Sequence, residues 1–389
     1  MKNLSVTVLD DDDFILDVAQ TMIESLGVGD ITTYVSAKQA LTELNISDSQ
    51  QILLCDLNMP EMDGVEVIRY LGQCHFAGAI IVLSGEDTRT LQTVVNMGRA
   101  YHLRLLGSLT KPLDLQELQR LFHLCLTSIS KSRYGLMELT ASEIESGMAE
   151  ALLPYFQPQV DVRSRKVVGV EALARWQLPN GEVLGPAAFI AQAEASGLIQ
   201  PLTDLMLTKS LQQWQVWNEA GIDVSISVNI SMHSLNCIDF PDQLMIEMQA
   251  LGVPLDRLIL EITESQLAQD MRVAADVLTR LCLKRIRLSV DDFGTAYSNM
   301  EKLLMVPFSE LKIDRAFVHD SVKNASAYAI LKSSIDLGHK LGMTLVAEGV
   351  ENQDDWDCVS ELGCDLVQGY FVARPMPGNQ LPIWLQNWR

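Results

Sequence analysis

The sequence predicts an α/β protein of two domains, a doubly wound parallel sheet followed by a (β/α)8 barrel. Three observations predict it. The chain has 389 residues, long for one domain and comfortable for two. Short apolar runs alternate with amphipathic stretches along most of its length, the grammar of βαβ units with right-handed crossovers. That alternation is interrupted once, where the stretch KSRYGLMELTASEIESGM is polar and carries no strong strand signal. The expected organisation is therefore a first domain over residues 1–126, a linker over 127–147 and a second domain over 148–389. Ala141–Gly147 could already form the first turn of the second domain.

In the first domain the strand candidates are Val6–Leu9, Ile52–Cys55, Ile80–Leu83 and a weaker Leu105–Leu109. Amphipathic stretches such as Phe14–Leu26 and Thr90–Met97 lie between them. In the second domain the candidates are Tyr155–Val162, Val167–Trp176, Val224–Ile230, Leu258–Thr263, Ile286–Asp291, Leu311–Ile313, Thr344–Ala347 and Leu366–Val372. Such a count over about 240 residues fits a barrel, with an open eight-stranded sheet as the alternative. A polar residue recurs at or near the end of nearly every one of these strands: Glu171, Asn229, Glu261, Asp291 with Asp292, Lys312, Glu348 and Gln368. In a barrel these positions converge on one mouth. In an open sheet they would spread along a line and could not meet.

Composition narrows the chemistry. An apolar fraction of 48% supplies real cores, and the formal charge of −21 repels nucleic acid and anionic membranes at long range. Neither DNA nor a membrane is expected as a partner. A phosphate substrate remains possible only where metal ions or a few Arg and Lys residues make the field locally positive. The seven cysteines are scattered without a C-x-x-C, which reads as reduced thiols in a cytoplasmic protein. The six histidines form no zinc-binding spacing, so any metal should sit among oxygen ligands. No targeting segment is visible, and no apolar run approaches the ~18 residues that would span a bilayer.

Two constellations carry chemistry. In the first domain Asp10–Asp13 follow a strand, Asp56 and Ser84 each end one, and Lys111 follows the last. An acidic run alone is usually a solvated loop. If the strands are parallel neighbours, however, these groups gather at one sheet edge. Mg²⁺ suits clustered carboxylates with water and phosphate oxygens, Asp56 would accept a phosphoryl group, and Ser84 and Lys111 would contact its oxygens.

In the second domain Glu171, Asn229, Glu261 and Asp291 offer oxygen ligands from four strands, a set that selects Mg²⁺ or Mn²⁺. Asp292 permits a second ion sharing a carboxylate, and two such ions clamp an in-line phosphodiester displacement. Lys312 would hold the attacking water or the phosphate, and Glu348 would be general base or second-metal ligand. Arg175, four residues after Glu171, shares its strand face and can fork onto a phosphate. Any one of these carboxylates is more often a helix cap or surface charge than a ligand; their recurrence at successive strand ends makes coincidence a poor account.

Residues 1–126 resemble a receiver domain, with Asp10–Asp11, Asp56, the D-x-x-M-P-x-x-D-G frame through Gly64, Ser84 and Lys111–Pro112 in the matching places. The resemblance implies a flavodoxin- or CheY-like sheet, one Mg²⁺, a cis Lys–Pro peptide and a cognate histidine kinase as phosphoryl donor. The acidic pair could sit one residue along the run of four aspartates. Ser108 stands where receivers commonly carry an aromatic switch residue, and the stretch from Ser84 to Lys111 is longer than usual.

The second domain resembles EAL domains, the cyclic di-GMP phosphodiesterases, over essentially its whole length. The signature reads Glu171-Ala172-Leu173 extended to Arg175, then SVNIS, LEITES, DDFGTAYS, LKIDR, VAEGVE and QGYFVARPMP. Carried over, it implies a TIM-like barrel with two Mg²⁺ or Mn²⁺ held by Glu171, Asn229, Glu261, Asp291 and Asp292. It implies catalysis by Lys312 and Glu348, and a product that is linear pGpG. Gln157, Leu173, Arg175, Asp314, Arg315, Glu351 and Gln368 would shape the substrate site, with Glu264 steadying the loop after Asp292. Ala296 replaces a glycine usual in that loop. A receiver followed by an EAL domain implies a response regulator controlled through Asp56, forming homo-oligomers through the EAL domain. The alternative is a catalytically weak EAL domain that senses cyclic di-GMP or serves as a kinase-interaction adaptor.

Overall fold

The computed structural model describes residues 4–388 apart from 49, 86–93, 95–96, 99–100, 102, 134–138, 268–271, 296–302, 304 and 320. Ala296 and most of the expected helix Thr90–Met97 lie outside the described residues. The chain divides into two compact units, residues 1–136 and 137–389. The helix Leu115–Arg133 runs past residue 126, so the first unit extends into the stretch expected as linker.

The first unit is built on five strands: β1 (Ser5–Leu9), β2 (Asp30–Tyr34), β3 (Gln51–Asp56), β4 (Ala79–Ser84) and β5 (Arg104–Thr110). Their order is β2-β1-β3-β4-β5, and every pairing is parallel. Strand β2 is absent from the sequence expectation. Its sequence DITTY is polar and it lies at an edge with only alternate residues covered, so no apolar run announces it. Alternation along the other strands feeds two cores, one on each face: Val6, Val8 and Leu54 on one side, Leu9, Leu53 and Cys55 on the other. Strand order reverses between β1 and β3, and the crevice this opens at their carboxyl ends receives Asp10 and Asp56.

The second unit contains β6 (Leu152–Asp161), β7 (Val167–Gln177), β8 (Val183–Leu184), β9 (Ser225–Asn229), β10 (Leu258–Thr263), β11 (Arg287–Phe293), β12 (Glu310–Ile313), β13 (Thr344–Ala347), β14 (Leu366–Val367) and β15 (Met376–Pro377). Eight of them close a ring in the order β6-β14-β13-β12-β11-β10-β9-β7, sealed by the β6–β7 pairing. This is the expected closed barrel with one correction: β6 is antiparallel to both neighbours, β7 and β14, while the rest run parallel. The cause lies in chain length. Asp161 and Val167 are joined by a tight turn in which Ser164 Oγ and N–H both donate to the Asp161 carboxylate. A parallel return needs a crossover of roughly a dozen residues or more, so so short a link can only make a hairpin.

Strand β14 is likewise shorter than the expected Leu366–Val372, because the chain leaves the ladder at Gln368 and turns, with Val372 N–H and Ala373 N–H bonding to Gly369 O. The helix Ala141–Ala151 leads into β6 and begins with a capping box formed by Thr140 and Glu143. Its Gly147 faces the Trp176 ring, which a Cβ would meet at 2.9 Å. One continuous apolar core, from Leu139 to Leu381, packs the strands against their helices.

Candidate active site

The barrel mouth is assembled by register. Glu171 on β7 pairs with Gln157 on β6, Glu261 on β10 with Asn229 on β9, and Thr263 on β10 with Asp291 on β11. Between Val290 and Phe293 the pairing of β11 with β12 is bulged. Asp292 takes a left-handed backbone there, φ 56°, which a non-glycine residue adopts only when its surroundings hold it. The bulge re-aims the strand end so that Asp291 and Asp292 both bring an oxygen into one cluster with Glu348. Glu348 follows β13 and is fixed by its N–H to Ile313 O at 3.1 Å.

Lys312 is the centre of this mouth. Its side chain is 0% exposed, and Nζ lies 2.7 Å from Glu348 Oε1, 3.0 Å from Glu261 Oε2, and 3.2 Å from both Glu171 Oε2 and Asp291 Oδ1. The sequence reading has Lys312 facing water or phosphate; the structure holds it beneath the carboxylates as their counter-charge. Burial opposes its charge, but Asp291, Glu171, Glu261 and Glu348 together raise its pKa well above the usual lysine range. Burial raises Glu261 and Glu348 well above the carboxylate range. Glu171 feels the same burial, yet the Lys312 charge and the Gln368 hydrogen bond leave it lowered. Asp292 is pushed up to about 6 by burial and by Asp291 beside it.

A divalent metal fits these residues. Five carboxylates (Glu171, Glu261, Asp291, Asp292 and Glu348) face one lysine, a surplus of negative charge that a buried site sustains only with cations. Glu261 Oε1 is buried without a hydrogen-bond partner among the described residues. Glu171, Glu261 and Asp291 form one oxygen cluster; Asp291, Asp292 and Glu348 form a second, and the two share Asp291. Asn229 Nδ2 donates to Glu171 Oε1 and Glu261 Oε2, both at 3.1 Å, which leaves its amide oxygen for an ion. All donors are oxygen, the set for Mg²⁺ or Mn²⁺ rather than zinc.

A cavity of about 930 Å³ opens over this cluster. Of the expected substrate residues, Gln157, Leu173, Arg315, Glu351 and Gln368 line it, together with Glu171, Asn229, Asp291, Asp292 and Glu348. Arg175 and Asp314 do not. Arg175 NH1 donates to Ala174 O at 2.8 Å, with its guanidinium 6.0 Å from the Tyr155 ring centre, and Asp314 accepts from Ala316 N–H at 2.8 Å. Glu264 Oε2 accepts from Gly294 N–H at 2.9 Å, so it does hold the chain just after Asp292.

Sequence reasoning missed Gln159 and Tyr370. Gln159 Nε2 donates to Gln368 Oε1 at 3.0 Å, and Gln368 Nε2 donates to Gln157 Oε1 at 3.1 Å and to Glu171 Oε2, a buried amide chain that fixes the glutamate. The signal was the two-residue spacing of Gln157 and Gln159, which places both on one strand face. Tyr370 lines the cavity under Arg374, whose guanidinium lies 4.2 Å from the ring centre.

In the first unit Asp10, Asp11 and Asp56 bring their oxygens into one cluster. Asp12 instead caps the following helix, accepting from Phe14 N–H. Lys111 Nζ lies 2.7 Å from Asp10 Oδ2 and 3.1 Å from Asp56 Oδ1. Burial raises the Asp56 pKa against the pull of Lys111. Ser84 is buried at the end of β4, where its carbonyl accepts from Lys111 N–H at 3.1 Å, and the Lys111–Pro112 peptide is cis. Ser108 lies in β5 opposite Val82.

A closed barrel with a mouth of acidic oxygens, preceded by a parallel sheet with its own acidic crevice, is the arrangement of a receiver-linked phosphodiesterase. Residues 6–123 match the response regulator receiver domain and residues 143–375 match the EAL domain; the chain belongs to the EAL family and carries a receiver. It is 30% identical over 388 residues to the cyclic di-GMP phosphodiesterase RocR of Pseudomonas aeruginosa, covering 97% of each chain. Among solved structures, a PaMucR phosphodiesterase in complex with c-di-GMP matches with a TM-score of 0.59 and 33% identity, over 62% of this chain and 98% of that one. The EAL domain of Mycobacterium smegmatis DcpA matches with a TM-score of 0.54 and 29% identity, over 61% and 99%.

Proposed function

We propose that this chain is a response regulator that hydrolyses cyclic di-GMP to linear pGpG in its barrel, under control of phosphorylation at Asp56. The observation that carries the reading is the pair of oxygen clusters sharing Asp291 at the floor of the cavity. Glu171, Asn229, Glu261 and Asp291 would hold one Mg²⁺ or Mn²⁺; Asp291, Asp292 and Glu348 would hold the second. When bound, the ions activate water and stabilise the attacking and leaving oxygens of an in-line displacement. Lys312 supplies the positive charge around which the ligand carboxylates gather. Arg315, on the cavity wall, offers a guanidinium to a substrate phosphate. Gln368 and Gln157 hold Glu171 in orientation. Hydrolysis consumes one water and opens one phosphodiester of the ring.

In the receiver, Asp56 is the phosphoacceptor; Asp10 and Asp11 would hold a Mg²⁺, and Lys111 and Ser84 would contact the phosphoryl oxygens. A receiver of this kind takes its phosphoryl group from a phosphodonor, for which a histidine kinase is the proposed source. The family resemblance supports a homo-oligomer joined through the EAL domain, acting in the cytoplasm. Among the described residues no helix is long and apolar enough to cross a membrane.

The test is Mg²⁺-dependent turnover of cyclic di-GMP by the wild type and by Glu348→Ala. Glu348→Ala is expected to abolish pGpG formation with the circular dichroism spectrum unchanged. Unchanged turnover would remove Glu348 from the site, and tight binding without product in Mg²⁺ or Mn²⁺ would replace hydrolysis by sensing.

A further inference from the structure

We infer that Asp355 and His319 are a pair of positioning residues that fix Glu351 and, through it, Arg315 at the wall of the cavity. The inference rests on the cavity being the cyclic di-GMP site. Residues 348–352 connect β13 to the helix Gln353–Glu361 and bring Glu348, Gly349 and Glu351 to the cavity. Asn352 caps that helix, its Oδ1 accepting from Asp355 N–H at 2.9 Å. With the cap already made, the Asp355 carboxylate, 1% exposed, does something else. Its Oδ2 accepts from Glu351 N–H at 3.0 Å, from Asn352 Nδ2 at 3.1 Å and from His319 Nδ1 at 3.0 Å.

His319 comes from a different loop. It ends the short helix Arg315–Val318 that follows β12, so Asp355 joins the loop after β13 to the loop after β12. The ring closes on the other side: His319 Nε2 stands 3.9 Å from Glu351 Oε2, and Glu351 Oε1 lies 2.7 Å from Arg315 NH2. Gly349 makes room for this closure, since a Cβ there would meet Arg315 Cγ at 2.2 Å. Arg315 is exposed and Glu351 only half-buried, so their ion pair alone would hold neither partner firmly. The buried Asp355, which is not among the residues lining the cavity, supplies the fixed point.

Steady-state kinetics of the full chain with cyclic di-GMP and Mg²⁺ test this. His319→Ala should raise KM roughly five- to tenfold with kcat nearly unchanged, the fold-change of one lost hydrogen bond. His319→Asn keeps a donor at the Nδ1 position and should restore KM, whereas His319→Gln should not. Equal KM in wild type and His319→Ala, or no rescue by Asn, overturns the inference. Amide exchange at Glu351 reads the ring without substrate: protection should fall in Asp355→Ala and His319→Ala and persist in His319→Asn. Absence of wild-type turnover sinks the substrate reading alone; unchanged Glu351 protection sinks the pair whatever the substrate.

Discussion

Lys312 carries the charge balance of the barrel mouth, with four carboxylates within 3.2 Å of one buried ammonium. Lys312→Met leaves those acids uncompensated. It should destabilise the metal-free protein by about 3–5 kcal/mol, read from the denaturant midpoint, with part of the loss recovered in millimolar Mg²⁺. Asp292 sets a pH dependence of unusual sign. Its carboxyl is raised from 3.8 to about 6, so the folded state binds this proton more tightly than the unfolded chain does. The stabilisation is therefore complete below pH 3.8 and is lost as pH rises to about 6. Because the side chain partly faces solvent, the effect amounts to only about 1–2 kcal/mol. Melting temperatures of metal-free protein should fall across this window, Asp292→Asn should flatten that step, and Mg²⁺ should abolish it. A metal-free protein that gains stability between pH 4 and 6 would contradict the assignment.

At the scale of elements, the end of β11 is the most demanding piece of backbone. Asp292 sits at positive φ, and Gly294 follows at φ 99° with the Phe317 ring 2.8 Å from where a Cβ would lie. Gly294→Ala therefore combines strain with a clash, at a cost of about 1–3 kcal/mol. Glu264→Ala, which removes the acceptor of Gly294 N–H, should reduce turnover and Mg²⁺ affinity together; calorimetric titration of Mg²⁺ checks the second. The residues of the oxygen clusters were legible because they end or follow apolar runs; the antiparallel pairing of β6 with β7 was not read from the sequence, although the short link between them signals it. Strand β2 was not legible, since a half-covered edge strand of Asp, Thr and Tyr carries no apolar run. Nor was the Asp355–His319 contact, which joins residues far apart in sequence through neither periodicity nor motif.

For the whole molecule, the two acidic centres belong to separate compact units, each with its own core. Asp56→Asn should therefore leave unstimulated turnover of cyclic di-GMP unchanged while removing any response to a small phosphodonor such as acetyl phosphate. A basal rate that collapses in Asp56→Asn would mean that the receiver supports the barrel structurally rather than by phosphorylation. Ser108 bears on this coupling: it stands in β5 where an aromatic side chain would be expected to change its packing with the state of Asp56. The size of the phosphodonor effect measures how much coupling survives without that ring.

The reversed β6 has a consequence for how the barrel is wired. In an all-parallel barrel the first strand starts at the floor, the end farthest from the chemistry. Here Leu152, the first residue of β6, pairs with Trp176 near the carboxyl end of β7, so the polypeptide is threaded in from the rim. The helix Ala141–Ala151, seated against that same Trp176, is thus spliced directly to a strand whose Gln157 adjoins Glu171. From that helix the chain therefore runs along β6 alone to reach the neighbour of Glu171.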